Sequence, residues 1–169
     1  MNNSYARKIA LGALLSATVT IATILSIPVP GFRLYFNLGE GVIYTTALIL
    51  GARYGAICGG IGAAMGDLVL GYPLWAPFTL IIKGLEGFVV GRIGRDHMKT
   101  AIVSGALVMI LGYSSMAGIL YGWKAAPVEM VTDLVQTGTG ALSALILVPV
   151  IEKRLSGLLR NRGIDKHAC

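Results

Sequence analysis

Long apolar runs, broken only by proline, glycine and isolated charges, constrain this chain more than any motif in it. Six can be marked off, over residues 9–27, 40–52, 55–71, 76–93, 101–121 and 128–151. The second is short for a full crossing, so its start is expected to reach back into the preceding loop. A five-helix bundle with one re-entrant segment is the alternative. Only 13% of the 169 residues are charged, about half the share usual in soluble domains, while 55% are apolar and 23 are Gly. At roughly 20 residues per crossing, six helices use about 120 residues and leave no separate soluble catalytic domain. The expected fold is all-α: a single membrane domain over 1–169, an integral bundle of six transmembrane helices with a basic tail over 152–169.

The charges give that bundle an orientation. Arg7 and Lys8 before the first run resemble the start of a signal peptide. Ile9 to Ile27 is long for such a segment, however, and no small-x-small cleavage site precedes Pro28, so a retained first span is expected. An even number of spans puts both termini on one side. That side then collects Arg7, Lys8, Arg53, Arg92, Arg95, Lys99, Lys153, Arg154, Arg160, Arg162 and Lys166, which are 11 of the 14 basic residues. The positive-inside bias makes it the cytoplasm. The excess of base is thereby explained without nucleic acid, and the tail from Lys153 to Lys166 is read as attracted to anionic lipid. Arg53 and Tyr54 are expected to mark a tight turn between the second and third spans.

Small residues recur at helix-packing spacing: Ala6 with Ala10, Ala13 with Ala17, Gly55 with Gly59, Gly62 with Gly66, and Gly87 with Gly91. In lipid, where hydrophobicity does not drive helices together, such pairs let backbones approach closely. The stretch Gly60-Ile-Gly62-Ala-Ala-Met-Gly66 is one residue too long for a dinucleotide fingerprint and follows no strand. Cys58 and Cys169 show neither metal spacing nor a disulfide framework. No metal or cofactor is expected.

Five ionisable residues fall inside the apolar runs: Asp67, Lys83, Glu86, Glu129 and Asp133. Each costs a few kcal/mol to insert in a membrane and by default marks a functional interior. All five lie in the outer half of the bundle, away from the basic loops. Trp75, Thr79, Lys83 and Glu86, spaced 4, 4 and 3 apart, share one helical stripe. Glu129, Asp133 and Gln136 share another. With Arg33, Asn37, Glu40 and Tyr72 from the outer loops they form a polar, aromatic-rimmed site open outward, as small-ligand sites are built. The plainer reading is a Lys83 bridge to Glu86 or Asp133 that only holds helices together.

Several chemistries are missing. The two histidines, His97 and His167, lie in the cytoplasmic segments, so no intramembrane Ser-His pair exists. No Walker motif is present to hydrolyse ATP. No internal repeat suggests an alternating-access carrier. A binding subunit energised by partners fits best. A solitary facilitator would need a continuous polar path, whereas the cytoplasmic halves are Gly, Ala, Leu and Ile; a structural membrane protein would need no outer-half carboxylates.

The chain also resembles a known family. Ala13-x-x-x-Ala17, Phe36-Asn37-Leu38-Gly39-Glu40, Gly66-Asp67, Gly71-Tyr72-Pro73-Leu74-Trp75-Ala76-Pro77-Phe78-Thr79 and Lys83-Gly84-Leu85-Glu86-Gly87 look like the substrate-binding S-components of energy-coupling factor (ECF) vitamin transporters, riboflavin-type or hydroxymethylpyrimidine-type branch. The resemblance covers nearly the whole chain and is most specific from Phe36 to Gly94. It implies a multi-pass protein of a prokaryotic cytoplasmic membrane that binds a vitamin or precursor from outside. Its implied partners are a transmembrane coupling subunit and two ATPase subunits. Ala13 and Ala17, and less directly Ala10 and Ala6, would contact the coupling subunit. Helices four to six and the loop after the first span would form the site. Acids outnumber bases around that site, which favours a small neutral or weakly basic heteroaromatic such as hydroxymethylpyrimidine or pyridoxine, stacked on Trp75 or Tyr72. Riboflavin would need more room, and pantothenate would bring a disfavoured negative charge.

Overall fold

The computed structural model describes residues 3–29, 34–94 and 96–161, with side chains over 5–25, 37–94 and 96–154. Arg33, Arg95 and the end of the basic tail lie outside the described residues. Among those described are six helices and a short hairpin: α1 (Asn3–Ile24), β1 (Ser26–Val29), β2 (Leu34–Asn37), α2 (Gly39–Leu50), α3 (Ala52–Leu70), α4 (Ala76–Ile93), α5 (Met98–Tyr121) and α6 (Ala126–Asn161). The helical expectation holds, with a two-stranded antiparallel hairpin added. Its register pairs Ser26 with Asn37 and Val29 with Leu34.

Several expected boundaries are corrected. The first helix ends at Ile24 rather than Ile27, because Ser26 to Val29 pairs as β1. The second reaches back by one residue only, to Gly39. Residues 34–37 are extended and α2 begins at Gly39, giving 12 residues or about 18 Å of helix. Eight of those residues are buried, so α2 is a core helix enclosed by its neighbours, the usual fate of an apolar run this short. The break before α3 falls at Gly51, whose φ of +85° with ψ near 180° is open to glycine alone; Arg53 and Tyr54 are already helical. The fifth helix starts earlier, at Met98. The sixth continues past the apolar run to Asn161, because backbone hydrogen bonding does not stop where side chains turn polar.

Glycine sets the packing distances. A Cβ on Gly59 would lie 2.6 Å from the Lys83 carbonyl oxygen, one on Gly60 2.8 Å from that of Leu80, and one on Gly55 against the Gly87 carbonyl. The α3 and α4 backbones therefore touch. Gly62 and Gly66 admit α1 in the same way, with Ser16 O 2.6 Å and Thr23 Cβ 2.8 Å from their would-be Cβ atoms. Thr20 Oγ1 donates to Gly62 O at 2.8 Å across that seam. Ala6, Ala10, Ala13 and Ala17 point the other way and are exposed.

The core gathers Val19, Ile43, Tyr44, Ala47, Cys58, Ala63, Val90 and Ala144 around α2. The outside is apolar too: Ile9, Leu14, Ile21, Ile61, Val69, Ile81, Leu111 and Ile146 are all exposed. A shell of this kind faces lipid, since no soluble surface leaves so much contiguous hydrocarbon in water. Among the described residues three helices are long and apolar enough to cross a membrane, over Tyr5–Ile24, Met98–Tyr121 and Ala126–Arg154.

Candidate functional site

The left-handed Gly71, φ +84°, ends α3 and turns the chain through residues 72–75 into α4. The turn is tied by Tyr72 N donating to Asp67 O at 2.8 Å and Trp75 N to Tyr72 O at 2.9 Å. It delivers Tyr72 and Trp75 to the mouth of a cavity enclosed by all six helices and the end of β2. Ten of the eleven residues expected at the site line it: Asn37, Glu40, Asp67, Tyr72, Trp75, Thr79, Lys83, Glu129, Asp133 and Gln136. The eleventh, Glu86, is fully buried behind Lys83 and does not line it.

Lys83 forms the floor. Its Nζ donates to Glu40 Oε2, lies 3.1 Å from Glu86 Oε2, and stands 2.9 Å from the Met109 sulfur. The lysine thus bridges Glu40 and Glu86, not Asp133, and all three side chains are at most 5% exposed. Tyr44 OH donates to Glu86 Oε1 at 2.9 Å and supports the cluster from α2. Gln136 Nε2 reaches Glu40 Oε2 at 3.5 Å, and its Oε1 accepts from Asn37 N at 3.3 Å and Asn37 Nδ2 at 3.2 Å. Through those bonds the hairpin is hooked to α6. Asn37 Oδ1 in turn accepts from Gly39 N at 2.8 Å, fixing the entry to α2.

One wall is aromatic. Trp75 lies 5.8 Å from Tyr113 and 6.0 Å from Tyr121, centroid to centroid, and its Nε1 donates to Tyr121 OH at 2.9 Å. Tyr113 OH donates to Thr79 Oγ1 at 3.0 Å, and Lys83 Nζ lies 5.6 Å over the Tyr113 ring. The other wall is α6, where Glu129, Thr132, Asp133 and Gln136 share a face. The cavity measures about 60 Å³. That is less than half of the roughly 150 Å³ of an apolar cavity that takes up benzene, so the site suits a small ligand.

The sequence reading missed Thr23, Gly39, Ile43, Ala63, Met109, Tyr113 and Thr132 among the lining residues. Tyr113 was the findable one, a polar aromatic one helical turn from Met109 in an otherwise apolar helix. Asp67 lines the cavity as expected. Arg33 lies outside the described residues.

A lipid-facing helical bundle around a small, polar, aromatic-walled cavity is a small-molecule-binding membrane protein. The chain belongs to the ECF-type riboflavin transporter S component family, whose model it matches over residues 3–153. It is 39% identical over 147 residues to an uncharacterized protein of Pyrococcus woesei, covering 83% of this chain and 99% of that protein. It is 33% identical over 163 residues to the thiamine precursor transporter HmpT of Lactococcus lactis subsp. cremoris, covering 95% and 96%. The chain is therefore a substrate-binding subunit of the vitamin-type ECF class.

Proposed function

We propose that this subunit captures a monocyclic heteroaromatic vitamin precursor of the hydroxymethylpyrimidine type with high affinity, with pyridoxine-type ligands as the nearest alternative. The observation that carries this reading is the cavity itself, small, lined by carboxylates and walled by Trp75 and Tyr113. A three-ring isoalloxazine would need the bundle to open, so the riboflavin label of the family does not transfer. The relative HmpT is named for a thiamine precursor. Charge agrees: five carboxylates stand in or behind the site against Lys83 among the described residues, which disfavours an anion such as pantothenate.

Ligand binds from outside and is released inward when a transmembrane coupling subunit and two ATPase subunits act on the loaded protein. The exposed Ala10, Ala13 and Ala17 supply a smooth α1 face for the coupling subunit. The protein sits in a cytoplasmic membrane as a six-helix, multi-pass bundle with both termini inside, following the distribution of Lys and Arg. The five outer helices meet lipid and α2 fills the centre.

Native mass spectrometry of the detergent-purified protein from rich medium tests the reading. A co-purified pyrimidine or pyridine vitamer is expected. A larger vitamin would keep the transporter class and refute the cavity-size argument. Protein that stays empty after incubation with a vitamin panel would remove the binding role.

A further inference from the structure

Two carboxylates on α6 stand outside the Lys83 ion pairs. Glu129 and Asp133, one helical turn apart, both line the cavity and are 7% and 4% exposed. Among the described residues the cavity's cation is Lys83, and its ammonium is engaged by Glu40 and Glu86. Asp133 Oδ2 has no hydrogen-bond partner among the described residues. A buried polar atom left without a partner is costly, more so when charged, and folded proteins retain few of them. Glu40 is held through Oε2 by Lys83 and Gln136, and its Oε1, next to that ion pair, is likewise without a hydrogen-bond partner among the described residues. Asp133 is thus an unmet acceptor on α6 that no described ion pair holds, in the cavity that Trp75 and Tyr113 also line.

What satisfies a carboxylate best is a planar fork of two N–H donors, the arrangement by which a guanidinium binds one. A six-membered ring bearing an amino group next to a ring nitrogen offers that edge when the nitrogen is protonated, and one N–H with added positive charge suits a site rich in acids. We propose that Asp133 is the specificity-determining residue of the site: its carboxylate takes the amino edge of the ring while the ring lies against Trp75 and Tyr113, and Glu129 contributes a second negative charge to the same edge. This rests on the proposed binding of a vitamin-type ligand in the cavity. It narrows that ligand to an amino-substituted nitrogen heteroaromatic, which separates the pyrimidine precursor from pyridoxine.

Isothermal titration of the detergent-purified full chain tests it with two probes, hydroxymethyl-aminopyrimidine and the oxo analogue in which a carbonyl replaces the amino group. A site built around a donor-demanding carboxylate should prefer the amino probe by about 100-fold or more. In Asp133→Asn, whose amide can donate to a carbonyl, that preference should fall at least tenfold, with the oxo probe bound as well as before or better. Glu129→Gln should weaken the amino probe without reversing the order. If both probes weaken equally in Asp133→Asn and the preference survives, Asp133 is structural and the inference is wrong. A wild-type preference below tenfold overturns it without any variant. So does binding of pyridoxine or another vitamin with neither pyrimidine probe, although vitamin binding itself would then stand. A wild-type protein that binds no member of the panel removes both.

Discussion

Replacing Lys83 with Met strands two carboxylates in the centre of the bundle. Glu86 Oε2 lies 3.1 Å from the ammonium, and Glu40 Oε2 is closer still and hydrogen bonded to it. At an effective dielectric of about 20, a 3.1 Å pair is worth about 5 kcal/mol of Coulomb attraction before desolvation is counted. Breaking a buried pair by removing one partner costs about 3–5 kcal/mol, because the remaining charge stays buried without compensation. At about 2–4 °C per kcal/mol for a chain of this size, Lys83→Met should lower the melting temperature by about 6–20 °C. Thermal unfolding in detergent, followed by tryptophan fluorescence, reads this directly. The triple variant Lys83→Met, Glu40→Gln, Glu86→Gln removes the stranded charges and should recover at least half of the loss. A single variant that melts within about 3 °C of the wild type would refute the account of the cluster as a mutually dependent ion network.

Three further outcomes follow from other parts of the fold. Gly59→Ala places a Cβ 2.6 Å from the Lys83 carbonyl oxygen, a backbone atom that cannot step aside; overpacking of about 1–3 kcal/mol should lower the melting temperature by about 2–12 °C. Trp75→Ala removes the aromatic wall and the bond to Tyr121, so ligand affinity measured by titration should fall at least tenfold, with Trp75→Phe restoring most of it. Ala13→Trp alters an exposed position on α1 and should leave ligand affinity within about twofold while abolishing co-purification with the coupling subunit, since close helix approach needs a small residue there.

Much of the site was legible because membrane solvent makes ionisable side chains conspicuous. Asp67, Lys83, Glu129 and Asp133 stand out in apolar runs, and helical spacing alone puts Trp75, Thr79 and Lys83 on one face. Gly71 and the following proline likewise mark the turn that carries Tyr72 and Trp75. Apolar content, by contrast, cannot identify a helix end. The first run continues through Ser26 and Ile27, yet the chain there pairs with β2 instead of adding a helical turn, because the partner strand supplies the hydrogen bonds. Nor could the sequence say which carboxylate would claim Lys83. Glu86, one turn away on the same helix, and Asp133, inside another apolar run, were the visible candidates. Glu40 takes it jointly with Glu86, because α2 runs through the centre of the bundle and brings its first turn over the lysine.

That division of charge leads to a prediction about ligand sign. With Lys83 committed to Glu40 and Glu86, an arriving anion meets Glu129 and Asp133 with no described ammonium free to receive it. A ligand carboxylate held at roughly 5 Å from one α6 carboxylate is opposed by about 3 kcal/mol at an effective dielectric of about 20. That is a factor of about 150 in affinity. Burial within the bundle limits ionic screening, so most of the penalty should persist at high salt. Pantothenate should accordingly bind at least about 100-fold more weakly than hydroxymethyl-aminopyrimidine in titrations at both low and high ionic strength. Binding of the two within tenfold of each other would mean that Lys83 leaves its carboxylates when ligand enters. The ion cluster on the cavity floor would then be a movable part of the recognition surface instead of a fixed element of the fold.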